Sequence, residues 1–197
     1  MCYRHEIIHF ITTKMADKFE SSGALAVQKL FDAVDEGNPR TVIQCLREVK
    51  QQAFINLAPS LLHKAAFLGH CNVLKLLLDL RIQHSANIDC QNAQQLTPLH
   101  VACTEGHDDC AALLLLRGAS VNAVDFDNRT PLYFATYEGH LQAIKEVLKC
   151  DADVNLARNG GWLPLHEAAR FGHLECLKEL IKYTFMKFSW KLSSCAH

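Results

Sequence analysis

The dipeptide Gly-His occurs four times, at Gly69-His70, Gly106-His107, Gly139-His140 and Gly172-His173, with successive glycines 37, 33 and 33 residues apart. Seven residues ahead of each of these histidines stands a second phase-locked position, occupied by His63, His100, Tyr133 and His166 and preceded by Leu62, Leu99, Leu132 and Leu165. Two independent marks sharing one period restrict the chain to a repeat architecture, in which each unit buries its apolar face only against its neighbours. The same marks absorb seven of the eleven histidines, so the abundance of His belongs to the repeat and does not signal a metal centre.

Within each period the pattern is constant. A short run such as 99–104, carrying Ala102, breaks at Gly-His and is followed by an apolar segment such as 110–116. Leu113, Leu114 and Leu116, then Ile144, Val147 and Leu148, then Leu177, Leu180 and Ile181 recur at helical spacing, which predicts two short helices with a turn between them. Pro98, Pro131 and Pro164 stand where the first turn of a helix tolerates a missing N–H, with Thr97 and Thr130 ahead of them as caps. Ala119-Ser-Val-Asn122 and Ala152-Asp-Val-Asn155 open polar turns that lead to the next helix.

Thr97-Pro-Leu-His100, then Ala102, then Gly106-His107, at 33-residue spacing, resembles the ankyrin repeat. The resemblance covers residues 59–183. It extends more weakly over 25–58, where Leu30-Phe31, Ala33 and Gly37-Asn38 stand 32 residues before Leu62-His63, Ala65 and Gly69-His70. It implies an all-α solenoid of about five helix-turn-helix repeats joined by β-hairpin-like turns. The expected divisions are an N-terminal extension at 1–24, a degenerate capping repeat at 25–58, and repeats at 59–96, 97–129 and 130–162. A truncated repeat at 163–183 and a non-repeat tail at 184–197 complete the chain.

The departures are informative. The 37-residue spacing implies about four extra residues within 79–84, expected to lengthen the loop before Ala86. Asp151 stands where Gly118 ends the second helix of the preceding repeat, a position that favours glycine, and Leu163 stands where a capping Thr belongs. Beyond Tyr183 the sequence Thr184-Phe-Met-Lys-Phe-Ser-Trp190 replaces the expected turn and exposes Phe185, Phe188 and Trp190. Two readings stay open for this tail: a hydrophobic cap that folds back, or a truncated or alternatively spliced chain. Truncation is favoured because terminal caps are polar outside. Translation starts at Met1 or at Met15.

Composition excludes several classes. A hydrophobic content of 49% supports a folded core, and a net charge of −1 offers no field for nucleic acid. No apolar run approaches the roughly 20 residues of a membrane span, and Ile7 to Ile11, broken by His9 and preceded by Glu6, is too short and polar for a signal peptide. The nine cysteines are odd in number, sit within apolar segments (Cys45, Cys103, Cys110, Cys176) and include no pair three apart. A reducing compartment, cytoplasmic or nuclear, is expected, with no metal, no cofactor, no nucleic acid or membrane partner, and a monomeric chain.

The resemblance also implies where a partner protein binds: a concave groove lined by the hairpin tips and the first helices. Carried over by register, the tips are Ala93, Gln94 and Leu96, then Phe126, Asp127 and Arg129, then Asn159, Gly160 and Trp162. The helix positions are Thr104-Glu105, Tyr137-Glu138 and Arg170-Phe171. The candidate contacts are Gln94, Phe126, Asp127, Arg129, Tyr137, Glu138, Trp162, Arg170 and Phe171, the aromatics and arginines serving as anchors; the alternative is that some pack against neighbouring tips. Asn122 and Asn155 occupy the turn that the resemblance marks as a substrate for asparaginyl hydroxylation, the plainer role being to hydrogen-bond the hairpin. His63, His100 and His166 are expected to tie their turns to backbone, Cys110 and Cys176 to lie in the core, and Cys150 to be exposed.

The function expected is a non-catalytic scaffold or adaptor. Neither a Gly-rich phosphate loop nor His-Glu-x-x-His nor Gly-x-Ser-x-Gly is present, and a Cys103–His107 pair would need a helix running through Gly106. A second reading rests on Gly161-Trp-Leu-Pro-Leu-His-Glu-Ala-Ala169 with Glu175-Cys-Leu177, which resembles repeats of the ankyrin-repeat and SOCS-box family. That implies the substrate-recognition subunit of a cullin-type ubiquitin ligase. The family's C-terminal box does not fit in the tail, so a short form that binds substrate without delivering it is the expectation.

Overall fold

The computed structural model describes residues 21–49, 51–84 and 87–194. The N-terminal extension up to residue 20, Met15 included, and the side chains of Phe188 and Trp190 lie outside the described set. Among the described residues there are ten helices and no strand, divided between two compact units at 1–86 and 87–197.

The first unit holds α1 (Ser21–Asp35), α2 (Pro39–Glu48), α3 (Gln51–Leu68) and α4 (Cys71–His84). Helix α1 packs on α2 and α3, and α4 packs on α3 and α2, around the fully buried Leu30, Leu57, Leu61, Leu62, Leu74 and Leu77. Asn38 caps α2 by accepting the Arg40 N–H at 3.0 Å, and Pro39 occupies the tolerant first position. Helix α3 begins at Gln51, ahead of the repeat start expected at 59, and carries Pro59 internally. The extra residues at 79–84 do not lengthen a loop: they continue α4 to 14 residues, against nine in each of the later helices Asp108–Leu116 and Leu141–Lys149. Asp79-Leu-Arg-Ile-Gln-His84 contains neither the glycine nor the left-handed residue that stops those two helices, so the backbone ladder runs on.

The second unit is built from α5 (Pro98–Glu105), α6 (Asp108–Leu116), α7 (Pro131–Glu138), α8 (Leu141–Lys149), α9 (Pro164–Arg170) and α10 (Leu174–Ser194). The first helices pack in one row, α5 on α7 on α9, and the second helices in another, α6 on α8 on α10. Leu99, Leu114, Leu132, Ile144 and Leu180 fill the space between the rows. Thr97 and Thr130 cap α5 and α7 as expected. At α9 the leucine at 163 has no acceptor to offer, and only the reciprocal half of the cap survives, with the Leu163 N–H donating to His166 Nδ1 at 3.1 Å.

The Gly-His mark has a direct steric cause. Gly106 and Gly139 take φ values of +72° and +82°, where side chains are strained, and a Cβ built on either would stand 2.6 or 2.8 Å from the imidazole of the following repeat, His140 or His173. Those imidazoles donate from Nε2 to the carbonyls of Thr104 and Tyr137 at 3.0 and 3.1 Å. Each of these two glycines therefore makes room for the histidine of the following repeat, and each of those histidines satisfies a carbonyl near the preceding helix end.

Asp151 does adopt the left-handed conformation, at φ +61°, and its carboxylate is held by the Tyr183 hydroxyl at 3.3 Å and Lys187 Nζ at 3.2 Å. Helix α10 continues past Tyr183, where the repeat pattern ends, and Thr184 Oγ1 donates to the Leu180 carbonyl at 2.9 Å. No described helix is long and apolar enough to cross a membrane.

Candidate functional site

Three turns precede the first helices of the second unit, at 92–96, 125–129 and 158–162. Each is closed by a backbone hydrogen bond from its first residue to its last: Asn92 to Leu96 at 3.0 Å, Asp125 to Arg129 at 3.2 Å and Arg158 to Trp162 at 3.0 Å. In the first two an Asx side chain accepts from within the turn. Asn92 Oδ1 takes the Gln94 and Leu96 N–H groups at 2.9 and 3.0 Å, and Asp125 Oδ1 takes those of Asp127 and Arg129 at 3.0 and 2.8 Å. In the third, Arg158 replaces the Asx residue, and Gly160 and Gly161 supply the positive φ that Gln95 and Asn128 supply in the others. The third tip is zipped to the second instead: the Asn159 N–H donates to the Asp127 carbonyl at 2.8 Å, and Asn128 Nδ2 to Asn159 Oδ1 at 2.8 Å.

The sequence-predicted contacts separate on this frame. Gln94 is half-buried on the first tip, while Phe126 and Asp127 project from the second, Phe126 63% exposed. Arg129 does not project. Its Nε and Nη2 meet Asp125 Oδ2 at 2.8 and 2.6 Å, Nη2 lies 3.4 Å from Asp127 Oδ2, and the guanidinium covers the Phe134 ring at 4.9 Å. Its side chain is left only 16% exposed, so its role here is to close the turn. Tyr137, Glu138, Trp162, Arg170 and Phe171 are all exposed at the ends of α7 and α9 and on the third tip.

Four of these five make one continuous strip. Tyr137 and Phe171 meet edge to face at 4.9 Å, the Arg170 guanidinium lies 5.2 Å from the Phe171 ring and 5.8 Å from Trp162, and Arg158 lies 5.8 Å from Trp162 on its own account. Beneath the strip sits Glu167, wholly buried. Its Oε1 accepts from the Tyr133 hydroxyl at 2.8 Å and lies 3.4 Å from Arg158 Nε, while Oε2 has no hydrogen-bond partner and lies 3.8 Å from Arg170 Nη1. Burial first, then the hydrogen bond to Glu167 and that residue's charge, push the Tyr133 phenol up to about 12, so it remains a donor.

Tyr133, Arg158 and Glu167 were not singled out by sequence. The signal was there in the register: Tyr133 stands where His100 and His166 stand, and Glu167 where Val101 and Phe134 stand. A phenol that gives up the histidine's own contact and a charge in an apolar phase 34 residues later are one joint departure.

The other predicted residues take plainer roles. His100 accepts the Thr97 N–H at 3.0 Å and donates to the Arg129 carbonyl at 3.1 Å, tying its turn to the next. His63 Nδ1 contacts the Pro59 carbonyl at 2.7 Å. Asn122 Oδ1 accepts the Asp153 N–H at 2.9 Å, linking consecutive turns, and the Asn155 N–H donates to Asp153 Oδ1 at 2.9 Å. Cys110 and Cys176 are buried and Cys150 is exposed. Cys103 is buried too, and desolvation, with Asp108's charge adding to it, pushes its thiol far up, away from the thiolate a nucleophile needs. Gly106 breaks the helix between Cys103 and His107. Among the described residues no group of three His, Cys, Asp or Glu stands together as metal ligands would.

The paired helices, capped Thr-Pro starts and glycine–histidine joints define a helical repeat protein. The family described as ankyrin repeats (3 copies) matches residues 30–125 and 118–188, and the chain belongs to it. Among curated proteins, the transient receptor potential cation channel subfamily A member 1 of Drosophila melanogaster is 28% identical over 128 residues, 63% of this chain and 10% of that protein. Protein phosphatase 1 regulatory subunit 27 of Homo sapiens is 29% identical over 100 residues, 49% of this chain and 62% of the relative. Ankyrin repeat and SOCS box protein 11 of Homo sapiens is 41% identical over 73 residues, 37% of this chain and 21% of the relative. The chain thus spans between 10% and 62% of the length of these three relatives. What they share with it is the repeat, whose presence indicates a protein partner.

Proposed function

We propose that the chain is a non-catalytic scaffold or adaptor, monomeric and cytoplasmic or nuclear, that grips a protein partner along the face formed by the turn tips and the ends of α5, α7 and α9. The observation that carries this is the strip of Tyr137, Phe171, Arg170 and Trp162, exposed yet held in mutual contact. Aromatics and arginines that are already ordered lose little conformational entropy on binding, which is what an interface anchor requires. Phe126, Asp127, Glu138 and Gln94 flank the strip as secondary contacts, and Arg129 contributes through the shape of its turn. Asn122 and Asn155 are proposed as sites of hydroxylation of this chain, Asn155 being the more available because the Asn122 side chain is engaged with Asp153.

A second reading, substrate recognition for a cullin-type ubiquitin ligase, is favoured by the likeness to the SOCS box protein, which at 41% covers a limited stretch of both chains. It requires the same face and differs in the fate of the captured protein.

The test is affinity purification from cells with the wild-type chain beside a Tyr137→Ala, Trp162→Ala double variant, both checked by circular dichroism melts. Partners lost from the double variant at unchanged melting support the face described here, and a partner among them that is turned over through a cullin-type ubiquitin ligase favours the second reading. An identical partner set for both chains places binding elsewhere and overturns the assignment.

A further inference from the structure

We infer that the Trp162 end of this face selects an acidic protein segment, one that offers an Asp or Glu carboxylate beside an apolar side chain. The inference rests on the proposed binding face and names the chemistry of its partner. Two guanidiniums, Arg158 and Arg170, stand 5.8 Å from the Trp162 ring, and the one carboxylate they share is Glu167. Among the described residues no other carboxylate lies within 4 Å of either, so the cluster carries one positive charge in excess.

The two arginines are also incompletely used. Arg129, one repeat earlier, shows what a closed pair looks like: two contacts of 2.8 and 2.6 Å to one buried carboxylate oxygen and a side chain 16% exposed. Arg158 reaches Glu167 only at 3.4 Å and keeps 29% exposure. Arg170 comes no closer than 3.8 Å, beyond hydrogen-bond length, at 56% exposure. A guanidinium resting over aromatic rings keeps its five N–H donors in its own plane, around its edge, where a carboxylate can take two of them at once. Arg158 spends its Nε on Glu167 at 3.4 Å and its Nη1 on the Asn159 carbonyl at 3.2 Å, whereas Arg170 lies 3.8 Å from Glu167 and keeps its donors for a partner. The orphaned Oε2 of Glu167, wholly buried, marks the same shortfall from the other side, since the Arg170 guanidinium stands 3.8 Å from it without closing a hydrogen bond.

A cationic partner is the poorer fit, because Arg158 and Arg170 already hold the Trp162 positions a lysine or arginine would use. Apolar contact comes from Tyr137 and Phe171, whose rings touch at 4.9 Å and are each more than 40% exposed. The segment that fits therefore places its carboxylate at Arg170 and its apolar side chain at the Tyr137–Phe171 pair.

The probe is a random twelve-residue peptide display library, selected against immobilised full-length wild type, the Tyr137→Ala, Trp162→Ala double variant and Arg170→Gln. Enriched peptides are then measured by fluorescence anisotropy. The expected result is a wild-type pool enriched in Asp or Glu next to an apolar residue and absent from the double-variant pool. Those peptides should bind Arg170→Gln roughly tenfold more weakly, as loss of one charge-assisted contact implies. A pool that depends on Tyr137 and Trp162 but shows no acidic enrichment, or equal affinity for Arg170→Gln, overturns the inference and leaves the binding face standing. A wild-type pool indistinguishable from the double-variant pool removes the face and the inference together.

Discussion

The turn at 125–129 and the turn at 158–162 occupy the same place in consecutive repeats and use their charges in opposite ways. In the first, a buried aspartate consumes an arginine and two backbone N–H groups, and Thr130 caps the adjoining helix. In the second, the carboxylate has moved from the turn into the helix as Glu167, two arginines share it at 3.4 and 3.8 Å, and Leu163 leaves the helix without a side-chain cap. Where the repeat signature is complete, the arginine of the turn is satisfied internally. Where the signature departs, the Arg170 donors remain at the surface beside aromatic rings, which is why the proposed binding face is centred there.

The largest expected effect contrasts the two carboxylates. Asp125→Asn keeps the acceptor for the turn N–H groups but sets an amide against a nearly buried guanidinium; the expected cost is about 3 kcal/mol, in the range for breaking a buried pair. Glu167→Gln keeps the acceptor for Tyr133, and its arginines turn to solvent, so the expected cost is about 1 kcal/mol or less. Urea melts of the two variants, with hydrogen exchange to localise the loss, check this. Equal costs would mean that the 158–167 cluster is as closed as its neighbour, and the functional contrast would lose its basis.

Somewhat smaller is an alkaline effect that belongs to the open cluster alone. His100 uses its ring to tie turn to turn, whereas Tyr133, at the same position, spends its hydroxyl on Glu167. The folded chain holds the phenol up to about 12, above the ordinary value near 10. Raising a pKa on folding stabilises the protonated form, so this contribution is fully present below pH 10 and is lost as pH climbs from 10 to 12. Its upper bound, a rise from 10 to about 12 converted at about 1.4 kcal/mol for each pH unit, is roughly 2.7 kcal/mol. Tyr133→Phe should flatten stability against pH across that window while costing stability at pH 7; an unchanged slope would detach Tyr133 from the network.

Most of the fold was legible because the features that specify it are local and periodic. Glycine and histidine at fixed spacing reported a steric fact, the close approach of Gly106 and Gly139 to the imidazole of the following repeat, and threonine–proline pairs reported helix starts. The misread element was the end of α4. There, spacing revealed that residues had been added but not whether they joined loop or helix, which depended on the absence of a stop residue. The site was legible only in part. Exposure of Tyr137, Trp162 and Phe171 followed from register, but the inward turn of Arg129 depends on which way a side chain folds within its own turn, and the burial of Glu167 against Tyr133 joins residues 34 positions apart, which no single repeat displays.

The smallest effect tests whether Leu163 is a defect or a choice. Leu163→Thr should restore the hydroxyl acceptor that Thr130 gives to the Tyr133 N–H, at 3.2 Å, and that His166 lacks at the start of α9. A recovered cap stabilises by about 1 kcal/mol, and Thr130→Ala should lose a similar amount from α7. The two variants thus move in opposite directions in a thermal melt if the caps are equivalent. Because α9 carries Arg170 at its end and Glu167 at its centre, the same substitution reads out on binding. A stabilised α9 with unaltered affinity for the acidic peptides would make Leu163 a neutral departure. Weaker binding at higher stability would mean that the loosely held α9 is part of how the Trp162 end adapts to its partner, extending the contrast between the two turns from their charges to their rigidity.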